Sequence, residues 1–407
     1  MKILFLSAWF PYPPDNGSRI RVYNLIKALS RRHTVYLVSL LQDDSVRENA
    51  RHLGDICEVV SLHESAWFSP RGMKAIVGFF SPRPRSAVCT YDGRVREAVE
   101  DAIRSVAPDV VVASTLGVVE YVPHEISLPA VLDQHNCEYA VLKRAADRMS
   151  GLLRRARYAA GWKKFARWEA AICRRYDCVV MVSDEDKRMM LRAAPDLADV
   201  RVVPNGVDVE HYTPDSYDPD VTTLLYNGAL TYSANLDAVR YYASEVYPIL
   251  SCEMPGVRLL VTGRTTGVDL RGVDDCPGIE LVGYVDDIRD VLRRAGACVV
   301  PLREGGGSRL KILEAMAAGV PVVSTSMGAE GIDAVSGEHL LIADTPDEFA
   351  HAIARVLQDQ SLRRRLASAA RSLVEERYSW SGIGARFVDV VESVADRRSP
   401  HKEGSAP

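Results

Sequence analysis

The chain of 407 residues is long enough for two domains, and 47% of its residues are hydrophobic, which is enough to fill two buried cores. Its net charge of −4 argues against nucleic acid as the main partner, because nucleic-acid-binding domains carry a basic surface. The eight cysteines and nine histidines show no metal-ligand spacing, so we expect buried free thiols at Cys57, Cys178 and Cys298 and no metal site. No apolar run is long enough to span a bilayer.

The apolar start of the chain, 1–10, has the length of a signal-peptide core. It lacks a small-residue cleavage site and runs directly into Pro11, so we predict a first core strand instead. We therefore expect a cytoplasmic protein, because free thiols persist in a reducing compartment.

Short β-branched runs alternate with helical patterns along the whole chain, which predicts parallel sheets covered by helices. A stretch rich in Pro, Asp and Tyr at 209–221 divides these runs into two halves. We predict an α/β fold of two doubly wound domains, with a ligand bound between them at the carboxyl ends of the strands. The predicted strands are 2–8, 34–40, 56–61, 109–113, 129–133, 178–182 and 200–203 in the first half, and 222–227, 257–262, 279–282, 297–301, 320–324 and 338–342 in the second.

The loop after the first predicted strand contains several prolines and Gly17, a residue that lets the backbone approach a ligand at a helix start. Asn16, Gly17 and Arg19 are candidate cleft residues. Arg19 and Arg21 can meet an anionic ligand, or they can be ordinary solvated residues of a helix. A plain structural turn is the alternative for the whole loop.

Polar residues follow the predicted strand 129–133 directly, which is unusual for a mere connection. Among them, His135 can hydrogen-bond a sugar hydroxyl or shield a developing charge. The alternative is a structural histidine whose ring nitrogens are satisfied by the fold. The Asn-Gly turn within 204–208 ends the first domain, and we interpret it as a hinge.

The most informative segment is 301–325, which predicts a buried strand, a glycine-rich turn, a helix and a second buried strand. Three glycines entering a helix leave backbone N–H groups to face an anion, and the helix dipole adds positive potential. Arg309 and Lys311 bring full charges to the same turn. Glu314 lies one turn further on, where its carboxylate can accept hydrogen bonds from vicinal hydroxyls. A diphosphate joined to a ribose fits this pattern, whereas a solvated charged helix face is the alternative.

Three more loops of the second half follow predicted strands and can contribute to the same site. Gly228 allows close approach to a phosphate, and Gly263 is followed by Arg264, a candidate phosphate contact. Tyr284 can hold a nucleobase, or it can pack in the core.

The segment 151–175 has eight basic residues and one acidic residue, and its three aromatic residues are spaced to share a helical face. A basic amphipathic helix can lie on anionic lipid. The alternative is that Trp162, Phe165 and Trp168 pack on the domain's own core while the charges are solvated.

Taken together, these motifs resemble those of the retaining nucleotide-sugar glycosyltransferases of GT-B fold, the family that includes sucrose synthase and bacterial cell-envelope mannosyl- and glucosyltransferases. The glycine turn is similar to that of the exopolysaccharide and exosortase-associated branch. The resemblance covers nearly the whole chain, through the proline and glycine loop at 11–17, Val182-Ser183-Asp184-Glu185-Asp186, Pro204-Asn205-Gly206-Val207-Asp208, the 301–325 segment, and Gly328-Ala329-Glu330-Gly331-Ile332.

The resemblance implies roles for individual residues. Glu314 matches the second glutamate of the family's paired-glutamate motif, which holds the donor ribose, and His135 matches a histidine that contacts the donor sugar. The first glutamate of the pair is replaced here by Gly306, and Glu304 is a candidate substitute. The family's basic pair after the first strand of the second domain is absent, so we expect Arg309 and Lys311 to replace it. The donor-binding set implied in this way is Gly228, Gly263, Arg264, Tyr284, Glu304, Gly306, Gly307, Ser308 and Glu314.

The resemblance implies transfer of a sugar from a nucleoside-diphosphate sugar to an acceptor hydroxyl with retention. We expect no metal or other cofactor, because Arg, Lys and helix N–H groups supply the positive charge. We expect the acceptor to be a glycan or a lipid-linked glycan of the cell envelope, met at the inner face of the membrane through 151–175. A silent homologue that senses sugar nucleotides and a nucleotide-sugar epimerase are the alternatives. The expected parts are an acceptor-binding Rossmann-like domain at 1–208, a linker at 209–221, a donor-binding Rossmann-like domain at 222–378, a C-terminal helix at 379–396 that packs back on the first domain, and a disordered tail at 397–407.

Overall fold

The computed structural model describes residues 1–65, 73–123, 128–147, 149, 151–214, 219–305 and 309–398. The described chain forms two compact units, one of Met1–Pro204 together with the residues from Ile383 onward, the other of Asn205–Gly382. The chain therefore passes from one unit to the other after Pro204 and returns within its last helix. The sequence predicts a disordered tail that begins at 397, but residues 397 and 398 belong to the last helix, and the rest of the tail, from 399 onward, lies outside the described residues.

The first unit is built on a fully parallel sheet. Its strands are β1 (Lys2–Ser7), β2 (Thr34–Leu41), β3 (Glu58–Glu64), β4 (Val110–Ser114), β5 (Ala130–Asp133), β6 (Cys178–Met181) and β7 (Val200–Val202). Their order is β3-β2-β1-β4-β5-β6-β7, and Phe5 of β1 pairs with Leu37 on one side and Val112 on the other. The order reverses between β1 and β4, which is where doubly wound sheets bind ligands.

The second unit repeats this plan with β8 (Asp220–Asn227), β9 (Arg258–Thr262), β10 (Ile279–Gly283), β11 (Ala295–Val300), β12 (Val322–Ser324) and β13 (Leu341–Ile342). Their order is β10-β9-β8-β11-β12-β13, again fully parallel. The strand order reverses between β8 and β11, so the loops after these two strands meet at one edge of the sheet. β11 is buried along its whole length, as a strand covered by helices on both faces must be.

Helices cover both sheets. They are α1 (Gly17–Ser30), α2 (Met73–Phe80), α3 (Arg85–Thr90), α4 (Gly93–Val106), α5 (Glu138–Asp147), α6 (Leu152–Cys173), α7 (Asp184–Ala193), α8 (Ser233–Tyr241), α9 (Tyr247–Glu253), α10 (Arg289–Leu292), α11 (Leu310–Ala317), α12 (Pro346–Gln358), α13 (Gln360–Arg377) and α14 (Trp380–Arg398). Short 3-10 turns lie at Asp44–Leu53 and Val119–Tyr121, and a π-helical turn at Tyr242–Val246 joins α8 to α9. None of the described helices is long and apolar enough to cross a membrane.

All thirteen strands predicted from the β-branched runs are present, with ends that differ by at most three residues. Two of the late strand starts have local causes. β12 starts late because Pro321 has no N–H to donate to a neighbouring strand. β13 starts late because Gly337 donates to the Leu340 carbonyl at 2.7 Å and closes a turn before it. Cys57, Cys178 and Cys298 are buried free thiols, as predicted.

The Asn-Gly turn at 204–208 packs on the chain segment that begins the last helix. Val207 donates its N–H to the Tyr378 carbonyl at 2.7 Å and forms a bridge with Ser379. Gly206 is needed here because a Cβ would lie 2.8 Å from the Trp380 ring. The contacts of this turn are those of a structural connection.

The aromatic residues of α6 belong to the core of the first unit. Trp168 is buried, its Nε1 donates to Glu120 Oε1 at 3.2 Å, and Phe165 packs edge-on against it at 5.3 Å between ring centroids. Trp162 packs partly buried against the same core. The idea that these three rings form a lipid-facing stripe is therefore wrong, although the first turns of α6 are exposed.

A buried ion pair ties α1 to the sheet of the first unit. Arg21 is fully buried, and its Nη2 lies 2.5 Å from Asp133 Oδ1 while its Nη1 donates to the Pro204 carbonyl at 3.1 Å. The expectation that Arg21 is solvated or meets a ligand is wrong, because it shares the buried stripe of α1 with Leu25 and Leu29. Burial alone would raise the pKa of Asp133, but the Arg21 charge and the hydrogen bond from His135 outweigh it and hold that pKa well below its usual range.

We expect Arg21→Met to lower the free energy of unfolding by about 3–5 kcal/mol, because the Asp133 carboxylate stays buried after its guanidinium partner is removed. The loss is largest at neutral pH and above and shrinks as the pH falls, because without the Arg21 charge burial raises the pKa of Asp133, and the carboxyl of the variant takes up a proton while that of the wild type stays ionised. Urea unfolding followed by circular dichroism measures the change.

Arg104→Met is the matched control, because Arg104 pairs with Asp101 near the end of α4 and both side chains are largely exposed. This control should cost less than about 1 kcal/mol. An equal loss in both variants would contradict the importance of the buried pair.

Candidate functional site

Three loops of the second unit are joined by backbone hydrogen bonds at the carboxyl edge of the sheet. After β8, Gly228 donates to the Thr262 carbonyl at 3.2 Å and Leu230 donates to the Arg264 carbonyl at 2.9 Å. After β9, Gly263 donates to the Gly283 carbonyl at 2.7 Å. These bonds hold the loops after β8, β9 and β10 as one rigid rim beside the point where the strand order reverses.

Two positions of this rim require glycine, because neighbouring atoms lie too close to them for a Cβ. Gly263 has a φ of +106°, and a Cβ there would lie 2.6 Å from the backbone nitrogen of Ala229. A Cβ on Gly228 would lie 2.8 Å from Lys311 Nζ. The glycine at 228 therefore leaves the space into which the lysine ammonium extends.

Lys311 is the only lysine between Asn205 and Gly382, and it lies in the first turn of α11. Its Nζ donates to Tyr226 Oη and Asn235 Oδ1, each at 3.0 Å, and lies 4.1 Å from the centre of the Tyr226 ring. Both hydrogen-bond partners are neutral. Burial, and then the nearby charge of Arg309, lower the pKa of Lys311 to about 7. The ammonium is thus buried at the start of α11 with its charge only partly compensated.

Arg309 is the residue before the first turn of α11 and is buried. Its guanidinium lies beside Gly305, where a Cβ would be 3.0 Å from Nη1. Arg309 and Lys311 are therefore brought together at the start of one helix, as the sequence indicated. Glu304 is half-buried just before this turn, and Gly306, Gly307 and Ser308 lie outside the described residues.

Glu314 lies one turn after Lys311, and polar groups from three segments surround its carboxylate. Asn227 Nδ2 donates to Glu314 Oε2 at 3.1 Å, and Thr262 Oγ1 donates to Asn227 Oδ1 at 3.1 Å, which fixes the orientation of the amide. The Tyr212 hydroxyl also hydrogen-bonds Glu314. Burial raises the pKa of Glu314, while Lys311 and these hydrogen bonds oppose the rise. Such a fixed carboxylate can accept hydrogen bonds from a vicinal diol.

Arg264 and Tyr284 lie at the outer end of the rim. Tyr284 is 62% exposed, and the Arg264 guanidinium lies 6.0 Å from the centre of its ring. The alternative that Tyr284 packs in the core is therefore wrong. An exposed ring beside a guanidinium is a surface on which a planar, negatively charged ligand can stack.

In the first unit, His135 is oriented by contacts on both sides of its ring. Its Nε2 lies 3.0 Å from Ser114 Oγ and 3.4 Å from Asp133 Oδ2, and its Nδ1 lies 3.3 Å from Ser18 Oγ. Ser114 ends β4 and Ser18 lies in the first turn of α1, so the ring lies at the carboxyl edge of the sheet beside the reversal of strand order. The Arg21–Asp133 pair positions this histidine.

The residues predicted for the first loop have structural partners. Asn16 caps α1 by accepting the Arg19 N–H at 3.2 Å, and Gly17 is the first residue of that helix. The Arg19 side chain pairs with Asp15. Among the residues that the structure describes, no group of three or more His, Cys, Asp or Glu side chains is placed to hold a metal ion.

The sequence did not single out several residues that complete these clusters. Tyr226 and Asn227 directly precede Gly228, the residue of this strand end to which the sequence assigns a role. Tyr212 lies in the segment 209–221 that the sequence predicts to be a linker. Their side-chain contacts depend on the sheet order, which brings β8 beside β11. The full set missed in this way is Ser18, Ser114, Tyr212, Tyr226, Asn227, Asn235 and Thr262.

Comparisons with known families agree with this architecture. The model described as Glycosyltransferase Family 4 matches residues 15–211, and the model described as Glycosyl transferases group 1 matches residues 221–359. The two models cover both units in the order in which the chain contains them. The chain belongs to the glycosyltransferases of GT-B fold.

Among curated relatives, the phosphatidyl-myo-inositol mannosyltransferase of Mycobacterium tuberculosis is 30% identical over 230 residues, which are 53% of this chain and 59% of that protein. The chain thus matches about three fifths of the length of that relative. An uncharacterized 44.6 kDa protein of the cps region of Klebsiella pneumoniae is 25% identical over 93% of this chain and 96% of its own length.

Solved structures share the fold at low identity. The Anabaena protein HepE, solved in complex with UDP-glucose, is 16% identical with a TM-score of 0.67, over 97% of this chain and all of its own. The sucrose-phosphate synthase of Thermosynechococcus elongatus is 16% identical with a TM-score of 0.70, over 98% of this chain and all of its own. Two Rossmann-like domains of this kind define the GT-B fold of these proteins.

We expect Lys311→Met to stabilise the ligand-free protein by about 1–2 kcal/mol near pH 6, because the variant removes a charge that burial disfavours. The native pKa of about 7 is below the ordinary lysine pKa of 10.5, so between these values the unfolded chain binds more protons. The penalty is therefore full below pH 7 and vanishes toward pH 10. Urea midpoints at pH 6, 8 and 10 measure this trend.

Lys27→Met, on the exposed face of α1, is the matched control and should show no such dependence on pH. If Lys311→Met destabilises the protein by a similar amount at every pH, burial does not disfavour the charged form of Lys311, and the prediction is wrong.

Proposed function

We propose that this protein transfers a sugar from a nucleoside-diphosphate sugar to a hydroxyl group of a glycan or lipid-linked acceptor, with retention of anomeric configuration. The observation that carries the proposal is the placement of Lys311 and Glu314 one turn apart on α11, beside the strand reversal of the second unit. The Lys311 ammonium can pair with a diphosphate, and the Glu314 carboxylate can accept hydrogen bonds from the two hydroxyls of a ribose.

The donor-binding roles follow from this placement. Arg309, Lys311 and the N–H groups at the start of α11 face the diphosphate, and Gly228 leaves room for it. Glu314 accepts from the ribose, and Tyr284 with Arg264 stacks on the base. Gly263 shapes the rim, and Glu304 remains our candidate for contact with the donor sugar, while Gly306, Gly307 and Ser308 are proposed to bind the donor through the glycine-rich turn.

The chemistry that these residues support is stabilisation of a leaving group. As the glycosidic bond breaks, negative charge grows on the diphosphate, and a preorganised cation that meets this charge lowers the barrier. Lys311 is suited to this, because its partners in the free protein are neutral and a diphosphate would restore its full charge. His135, held by Ser18 and Ser114, is proposed to hydrogen-bond a hydroxyl of the sugar.

We propose that no metal or other cofactor is needed, because Arg309, Lys311 and the helix N-terminus supply the positive charge that a metal would otherwise bring. Retention is proposed to proceed by front-face attack, in which the acceptor hydroxyl enters on the side that the diphosphate leaves. Such a route needs no carboxylate nucleophile.

The acceptor side of the proposal rests on the relatives. The mannosyltransferase relative is named for a phosphatidyl-inositol acceptor, and the Klebsiella relative lies in a cps region. We therefore propose a role in bacterial polysaccharide or cell-envelope glycan assembly, with the protein in the cytoplasm and in contact with the inner face of the membrane. The first unit, with Asn16, Gly17 and Arg19 at one loop, is proposed to bind the acceptor.

A panel of nucleotide sugars tested by thermal shift should contain one that stabilises the protein, since a ligand above its dissociation constant raises stability. Glu314→Gln should weaken binding of that donor by about 1.5–3 kcal/mol, because a charged hydrogen bond to the ribose is lost. Titration calorimetry measures the affinity. Glu338→Gln, at a largely exposed carboxylate, is the control and should bind as the wild type does. Equal affinity in both variants would exclude the ribose contact.

Lys311→Met should reduce turnover by about 100- to 1,000-fold, because a donor aimed at developing charge is worth about 3–4 kcal/mol. The dissociation constant of the donor should change much less. Acceptor-dependent release of nucleoside diphosphate, measured with and without EDTA, tests this and the metal-free proposal together. Donor binding without any turnover would instead indicate a sensor, and activity that EDTA abolishes would contradict metal independence.

A further inference from the structure

The helix α2 exposes an apolar surface that the donor site does not use. Met73 is 84% exposed, Phe79 is 60% exposed and Phe80 is 89% exposed. Ile76 and Val77 between them are also exposed. Large apolar side chains are normal on a surface when scattered, but a whole short helix of them marks a binding surface.

The way α2 is held explains why these side chains face outward. Gly78 is buried, and a Cβ there would lie 3.0 Å from Arg85 Cα, so the helix sits on α3 through its smallest residue. Lys164 of α6 donates to the Gly78 carbonyl at 2.8 Å and anchors the end of α2. The large apolar side chains of α2 therefore face solvent, while Gly78 packs against α3.

The two sequence stretches that carry these apolar side chains are basic, although Arg83 pairs with Glu120. Residues 73–90 contain three Lys or Arg and residues 151–168 contain six, and neither stretch contains Asp or Glu, in a chain whose net charge is −4. The first turns of α6 continue from Lys164 for about 18 Å, and they expose Leu152 and Leu153, at 87% and 89%, next to Arg154 and Arg155. Apolar side chains are therefore set among positive charges in two adjoining helices.

We propose that α2 and the first turns of α6 form a docking surface for an anionic lipid bilayer, with Phe79 and Phe80 entering the boundary between headgroups and acyl chains. The arrangement of large apolar side chains beside Lys and Arg is that of interfacial membrane helices. This inference deepens the proposed membrane contact and rests on that proposed function, but it replaces the buried aromatic residues of α6 with α2 as the inserting element.

A second copy of the chain is a less suitable partner for this surface. Two such surfaces would bring the same positive charges together, and like charges facing each other oppose association. A bilayer with anionic headgroups supplies both the apolar interior and the opposite charge. Charge complementarity therefore selects lipid as the occupant.

Co-sedimentation of the full chain with vesicles tests the proposal. Wild-type protein should bind phosphatidylcholine vesicles that contain phosphatidylglycerol, bind pure phosphatidylcholine vesicles at least about tenfold more weakly, and lose binding at high salt. Phe79→Ser/Phe80→Ser should reduce partitioning by about tenfold or more, because two exposed rings no longer enter the interface. Arg154→Gln/Arg155→Gln should reduce binding to anionic vesicles only.

Matched controls lie in the second unit. Val335→Ser changes an exposed apolar residue, and Arg364→Gln/Arg365→Gln changes an adjacent pair of exposed arginines on α13, and neither should alter vesicle binding. Unchanged binding in Phe79→Ser/Phe80→Ser, or equal binding to both kinds of vesicle, would overturn the proposal. Dimerisation of the wild type without lipid, lost in the same variant, would overturn it in favour of a second copy.

The donor thermal shift of each variant separates this result from the proposed transfer reaction. Every variant of α2 and α6 should keep the wild-type shift, which also shows that it folds. Vesicle binding by a protein that no donor stabilises would overturn the transfer function and leave the docking surface standing. A normal donor shift with no vesicle binding overturns the docking surface alone.

Discussion

The proposed chemistry depends on the buried ammonium of Lys311 at the start of α11 and on the neutral groups that hold it. Lys311 extends into the space that Gly228 leaves, and it is held by the hydroxyl of Tyr226 and the amide of Asn235 rather than by a carboxylate. A charge kept in such surroundings is costly in the free protein, and that cost is recovered when an anion arrives. The rigid rim formed by the loops after β8, β9 and β10 is what keeps the ammonium in place.

In the first unit, by contrast, the buried charges form a complete ion pair. Arg21 and Asp133 neutralise each other in the core, and their pair gives a fixed position to His135 at the edge of the sheet. One unit therefore uses a satisfied charge to orient the His135 ring, while the other keeps a charge only partly satisfied. The first arrangement provides stability and position, and the second provides binding energy for a ligand.

The proposed membrane-docking surface lies in the first unit, whereas the proposed donor site lies in the second. The chain is acidic overall, yet α2 and the first turns of α6 bring apolar and basic side chains together without an acidic residue in their sequence. If lipid is the occupant, the hydrophobic contact holds the protein on the bilayer and the charges select an anionic one. Binding of donor and binding of membrane would then rest on different groups in different units.

The sequence by itself determined the strands, the two-fold repetition of the doubly wound plan, and the placement of Arg309, Lys311 and Glu314 on one helix, because these depend on local periodicity and spacing. Sequence alone could not decide that Arg21 is buried against Asp133, that Tyr284 is exposed, or that Trp162, Phe165 and Trp168 pack inward, since amphipathic spacing does not say which face meets the core. The partners Tyr226, Asn227 and Tyr212 were likewise decided only by tertiary structure, because the order of the sheet brings segments together that lie about ninety to a hundred residues apart in the chain.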